Sequence, residues 1–350
     1  MDAKITKSRI GHMLSYDWIK ILALCAAVVV VWVLLFTTLA PRATRGQTFE
    51  IYVYPNVRMG TFGDLGSLHG DNALTYEALS YDVLDMSANT TLTDDTVNTV
   101  LSAHFAAGQG DVVFISSERY DSGQKDENDN AVMTSDLEQF LAAYVYNCTW
   151  LGGDAEYPLT ASEENANTQD YLTACAAYLS QYYTGDITAD SAEQDRQAIE
   201  TDFRARADGD NRYKKESQIL AGLEKEYGRI ENLRVAYNNV VGYLGDGTLS
   251  VTEVDLTVQS ETDVNGDGTV NDSDTVQKKG YFSFDLSAVP GIDYMFTTSR
   301  VTDENGAWKG DSVNMVVLNT RLQEEALRYE QVTFLDYIVK ECVRRQELES

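Results

Sequence analysis

Apolar and polar positions along the chain predict one long apolar run, a series of short strands, a helical block and a return to strands. From Ile21 to Ala40, ILALCAAVVVVWVLLFTTLA holds twenty residues without a charge, the length needed to cross roughly 30 Å of hydrocarbon. TFEIYVYP (48–55) alternates and is rich in β-branched and aromatic residues, which predicts a strand. A glycine-rich loop, GTFGDLGSLHG (60–70), separates it from a second strand, LSYDVLDMSA (79–88). Thr93 or Asp94 caps a helix whose Val97, Val100, Leu101 and Phe105 recur at helical spacing and which ends at Gly108. DVVFIS (111–116) is a short apolar run suited to a buried strand. Strand, helix and strand joined by tight turns predict a right-handed βαβ unit over a parallel sheet. Residues 120–136 read as a polar loop, and 136–241 as helical. Strands return at 247–258, 279–287 and 313–319, and a closing helix puts Leu322, Ala326, Tyr329, Phe334, Leu335 and Ile338 on one face. There is no internal repeat.

The expected fold is therefore α/β. Residues 1–20 form a cytoplasmic N-terminus, 21–40 a transmembrane anchor and 41–47 a linker. Residues 48–135 and 244–350 are two parts of one α/β lobe, interrupted by a large helical insertion at 136–243.

Charge refines this picture. Lys4, Lys7, Arg9 and Lys20 precede the apolar run and Arg42 and Arg45 follow it, which favours a cytoplasmic N-terminus and an extracellular body. The other reading of the run is a cleaved signal peptide; its length and Pro41 directly after TTLA speak against that. The chain carries 27 Lys+Arg and 55 Asp+Glu; setting aside the four basic and two acidic residues up to residue 40 leaves 23 and 53. A body this acidic is unsuited to nucleic acid or an anionic membrane surface. Cys148 and Cys175 could pair in an oxidising exterior or remain separate thiols, and Cys25 and Cys342 fit neither a zinc site nor a redox motif.

The chemistry-bearing motif is DVNGDGTVNDSD (263–274). A calcium loop gathers oxygen ligands at positions 1, 3, 5, 7, 9 and 12 around a sharp turn at a glycine in position 6. Here those positions are Asp263, Asn265, Asp267, the Thr269 carbonyl, Asn271 and Asp274, with Gly268 as the turn and Val270 expected to pack inward. The expected cofactor is Ca²⁺, in a structural role, and the plain alternative is an Asn/Asp/Gly turn without metal. DGDNR (208–212) has Tyr213 where the glycine is needed and reads as an exposed turn. GDGTLSVTE (245–253) would put Gly242 and Leu244 at ligand positions, so it is not a second loop.

With Asp at position 12 and Asn at 3 and 9, the loop resembles those of dockerin modules. A dockerin uses two loops, each followed by a helix, whereas this chain has one loop between strands. AHFAAGQGDVVFISSE (103–118), GYFSFDLSAVPG (280–291) and VNMVVLNTRLQEEALRYEQVTFLDYIV (313–339) together resemble bacterial extracellular solute-binding proteins. The likeness is nearer to their membrane-anchored relatives in Gram-positive bacteria. It covers about 140 of the 350 residues. It implies a periplasmic-binding-like ectodomain on a single-pass plasma-membrane anchor, with a small-molecule or protein ligand.

Two functions follow. One is a tethered solute-binding-like protein with a structural Ca²⁺ loop. The other is a cell-surface interaction or scaffold protein, dockerin-like and calcium-stabilised, without a small-molecule ligand. No enzyme is expected: His12, His69 and His104 sit in no catalytic motif.

Overall fold

The computed structural model describes residues 11, 18–39, 48–60, 80–85, 94–125, 129–152, 170–259, 262–264, 266–271, 274–320 and 328–349. The linker 41–47, most of the glycine-rich loop, His12, His69, Thr93, Asn265, Leu322 and Ala326 lie outside them. The chain divides into two compact units, Met1–Thr44 and Arg45–Ser350.

In the first unit, α1 (Trp18–Leu39) runs for 22 residues, about 33 Å at 1.5 Å per residue. It begins three residues before the apolar run. Its Trp18–Leu35 stretch has a mean hydropathy of 2.6 and none of it is buried. It is long and apolar enough to cross a membrane, and a signal sequence near an N-terminus shares these properties.

The second unit is built on a six-stranded mixed sheet in the order β3–β1–β4–β13–β10–β9. These strands are β1 (Thr48–Val53), β3 (Ser80–Asp85), β4 (Val112–Ser116), β9 (Ser250–Gln259), β10 (Thr275–Asp285) and β13 (Val313–Val317). β1 pairs parallel with both β3 and β4. The remaining pairs, β4 with β13, β13 with β10 and β10 with β9, are antiparallel. The parallel sheet expected from the sequence is thus confined to three strands. Helix α2 (Asp94–Ala106) connects β3 to β4 across β1, and Gly108 (φ +63°) terminates it as expected.

Both faces of the sheet are covered. Phe49, Ile51, Val53, Val112, Phe114, Phe284, Val313, Met315 and Val317 form one core. It includes residues of α4 (Tyr171–Ser180), α5 (Arg196–Ala207), α6 (Glu216–Asp246) and α7 (Glu330–Glu349). Tyr52, Val113, Ile115, Phe282 and Val316 point the other way, into a core with α2 and α3 (Asp136–Tyr144). Strands buried on both faces read as unbroken apolar runs, which is why β4 and β13 were visible in the sequence. The helices of 136–243 are therefore divided, α3 on one face and α4–α6 on the other. Of the face expected for the closing helix, Tyr329, Phe334, Leu335 and Ile338 are buried.

The polar loop expected at 120–136 is instead a hairpin of β5 (Arg119–Lys125) and β6 (Ala131–Ser135). Its residues lack a hydrophobic period, so only tertiary contacts define it. The Arg300 guanidinium lies 3.7 Å from the Tyr120 ring centroid, and the Tyr120 hydroxyl donates to Asp136 Oδ1 at 2.9 Å. At the end of β6, Ser135 and Glu138 form a capping box that starts α3. A second sheet, β12–β11–β2, was also unforeseen; it joins β2 (Val57–Met59), β11 (Phe296–Thr302) and β12 (Trp308–Lys309), and a short antiparallel pair, β7 (Tyr183–Thr184) and β8 (Glu193–Gln194), lies between α4 and α5. DGDNR is a turn between α5 and α6, with Gly209 at φ +79° and Asp210 accepting from the Arg212 amide. All four cysteines are free thiols; Cys148 and Cys175 lie in opposite cores.

Candidate calcium loop and buried polar centres

The motif 263–274 sits at the tip of the β9–β10 hairpin. These strands pair continuously from Gln259↔Thr275 inward to Gly280↔Val254, whereas β13 meets β10 only at Ser283–Asp285. Tyr281 exchanges backbone bonds with Leu151 and Gly152, at 2.7 and 2.9 Å. Beyond that point, among the described residues, β10 pairs with β9 alone, while α3 packs against β9, whose Val254 lies in the second core. The result is a two-stranded arm roughly 17 Å long at 3.4 Å per residue. Lys279 bridges Glu253 and Asp255 across it, at 3.1 and 3.5 Å. Exposed pairs of this kind contribute little, and an isolated two-stranded ribbon is marginal in water.

Carboxylates organise the tip. Asp263 accepts the Gly266 and Gly268 amides through its two oxygens, at 2.6 and 2.8 Å. Asp274, fully buried, accepts the Val264 and Asn271 amides at 2.7 and 2.9 Å, tying both ends of the loop together. Asp267 accepts the Thr269 amide and hydroxyl at 2.8 and 2.7 Å, and Asn271 Nδ2 donates to Asp267 Oδ2 and to the Thr269 carbonyl at 3.2 Å each. Gly266 and Gly268 have φ of +77° and +87°, backbone that disfavours any side chain. Five of the six expected ligand positions are thus described. Contrary to expectation, Val270 points outward, 55% exposed, as Val264 is at 50%. Among the described residues, no three His, Cys, Asp or Glu side chains converge as a metal-holding group. The donors that the loop does offer are all hard oxygens, a set suited to Ca²⁺ rather than to transition metals.

A second polar centre escaped the sequence reading. Arg229, 1% exposed, lies between two buried acids. It donates to both oxygens of Glu226 at 2.9 and 3.0 Å, to the Tyr178 hydroxyl at 2.7 Å and to Glu330 Oε1 at 3.2 Å. Arg206 reaches Glu226 from α5. Burial works against ionisation of Glu226, but Arg229 and Arg206 overcome it and bring its carboxyl down to about 2. Burial raises Glu330; Arg229 opposes this and Glu226 adds to it, leaving the group at about 7. Burial also pushes the Cys175 thiol well up. The signal in the sequence was the spacing of Gly222, Leu223, Glu226, Arg229, Ile230 and Leu233, which sets a Glu and an Arg on the apolar stripe of α6.

A third cluster lies at the carboxyl ends of β4 and β10. Asn314 Oδ1 accepts from Thr252 and Ser283, and its Nδ2 donates to Ser117 Oγ at 2.8 Å. Ser116 and Ser312 hydroxyls lie 2.9 Å apart, with Ser312 at φ +69°. Two surface grooves follow α5: one of about 590 Å³ is lined by Tyr182, Asp195, Thr201 and Asp202, and one of about 660 Å³ by Arg204, Asp210 and Tyr213. Each has a single aromatic ring, fewer than stacking recognition of a sugar would use. His104 is half-buried, edge-on to Tyr52 at 5.7 Å. No protein-family model, curated protein or solved structure matches this chain.

Proposed function

We propose that this chain is a membrane-tethered extracytoplasmic interaction protein in which Ca²⁺ stiffens the β9–β10 arm. Asp263, Asn265, Asp267, the Thr269 carbonyl, Asn271 and Asp274 would hold the ion. The observation that carries the reading is the loop's position, at the free end of a ribbon with no other described strand beside it. A cation there would neutralise three crowded carboxylates and fix the tip, and the exposed Val264 and Val270 would give that tip an apolar contact surface. Helix α1 would anchor the protein in the plasma membrane, with its N-terminus in the cytoplasm, as the basic residues flanking it favour.

The test is calorimetric titration of Ca²⁺ into the decalcified full chain in detergent, wild type and Asp263→Ala/Asp267→Ala, with proteolysis of the arm followed in parallel. The reading expects one ion bound, and a protected arm, in the wild type alone. Equal heat and equal cleavage in both proteins would remove the metal from the account.

A solute-binding-like function is the second reading. The order β3–β1–β4, with hydroxyls and an amide gathered at the carboxyl end of β4, supports this reading, since open α/β sheets take ligands at the carboxyl ends of their parallel strands. Under this reading a library of sugars, amino acids and short peptides contains a compound that raises the melting temperature of the wild type and not of Ser117→Tyr. If no compound separates the two proteins, the interaction reading stands alone.

A further inference from the structure

The centre around Arg229 holds two acids for one fully buried guanidinium, and the two are held differently. Glu226 takes two hydrogen bonds from Arg229 and another from Arg206. Glu330, at the first position of α7 and 2% exposed, takes one long bond on Oε1, while its Oε2 has no hydrogen-bond partner. An unpartnered oxygen in a dry site is far costlier as a carboxylate than as a neutral acid. Among the described residues, the groups shown acting on Glu330 add no second cation. From α6 come Glu226 and Arg229, and from α4 come Tyr171, Cys175 and Tyr178; the Tyr178 ring lies 5.1 Å from that of Tyr329. Asp111, ahead of β4, is held at 3.5 Å by Gln331, which also accepts from Tyr171.

We infer that Glu330 is a protonation latch: as a neutral acid it seats the first turn of α7 against α4 and α6, and its ionisation loosens that turn. Its raised folded-state value sets the window. Folded Glu330 keeps its proton up to about pH 7, whereas the unfolded chain releases it near the ordinary value of 4.5. Stability from this group is therefore complete below about pH 4.5, falls between there and pH 7, and is spent above.

The experiment is denaturant unfolding of the full chain in detergent from pH 5 to pH 8.5, at constant Ca²⁺, for wild type and Glu330→Gln. The ratio of folding constants, wild type over variant, should fall by about tenfold per pH unit from 5 to 7 and then level off. A ratio independent of pH would overturn the latch. Should Glu330→Gln fail to fold, infrared spectroscopy of the wild type decides: a protonated-carboxyl band present at pH 6 and lost by pH 8.5 supports the latch, and its absence at pH 6 overturns it.

Discussion

Arg229 carries its charge into the core only because partners meet it on three sides, so the cost of losing it is asymmetric. Arg229→Met would strip Glu226 and Glu330 of their buried cation and should destabilise the body by about 3–5 kcal/mol, read by chemical denaturation. Changing Glu330 to Gln in the same protein should return part of that loss, because Arg206 still reaches Glu226 whereas Glu330 would be left buried beside no guanidinium. A milder variant at Glu330 than at Arg229 would agree with this; equal losses would not. Gly291 sets a second limit at this scale. It has φ +79°, and a Cβ there would collide with the Cys342 carbonyl oxygen on α7, so Gly291→Ala should cost several kcal/mol through strain and displacement of that helix. A melting temperature within a degree or two of the wild type would show that this contact yields. The sequence announced little of this. A Glu and an Arg three apart on a helix look like an exposed pair, and only the apolar stripe through Leu223, Ile230 and Leu233 separates a buried pair from an exposed one.

At the level of an element, the arm of β9 and β10 ties the proposed ion site to a local sequence. Gly268 has open space where a Cβ would go, so Gly268→Ala acts on backbone conformation alone. It should weaken Ca²⁺ binding by about tenfold, for a left-handed backbone cost of roughly 1–2 kcal/mol, while leaving the melting temperature of the decalcified protein almost unchanged. Calorimetry and a melt in chelator check the two halves. A loss of stability without metal would place the glycine's role in the hairpin and not in the ion site. Element recognition from the sequence followed the physics of burial. β1, β4 and β13 are largely buried and apolar and were anticipated within a few residues. β5 and β6 alternate among polar residues and exist through Arg300, Tyr120 and Asp136, partners 164 and 16 residues apart in the chain. No local pattern encodes such contacts. The outward-facing Val270 was missed for a related reason: loop position 8 packs inward only where a second element covers it.

For the whole molecule, the division at residue 44 makes the last prediction. Residues 45–350 contain both cores, the mixed sheet and the Arg229 centre. The body expressed alone should fold, unfold in one cooperative transition with the midpoint of the full chain, and stay in solution, whereas the full chain should sediment with membranes and need detergent. Its acidity gives this comparison a second reading. With 23 basic and 53 acidic residues beyond residue 40, a formal charge of −30 against −28 for the whole chain, self-repulsion disfavours the compact state at low ionic strength. Monovalent salt should therefore raise the midpoint of body and full chain alike, saturating as the screening length falls below about 10 Å near 0.1 M. Ca²⁺ at about millimolar concentration, the range of extracellular modules, should add a further rise that monovalent salt does not reproduce and that Asp263→Ala/Asp267→Ala abolishes. A body that aggregates on expression, or a midpoint far below that of the full chain, would mean that α1 contributes to the fold and is more than a tether. Identical responses to sodium and calcium would reduce the loop's carboxylates to part of the general acidic surface.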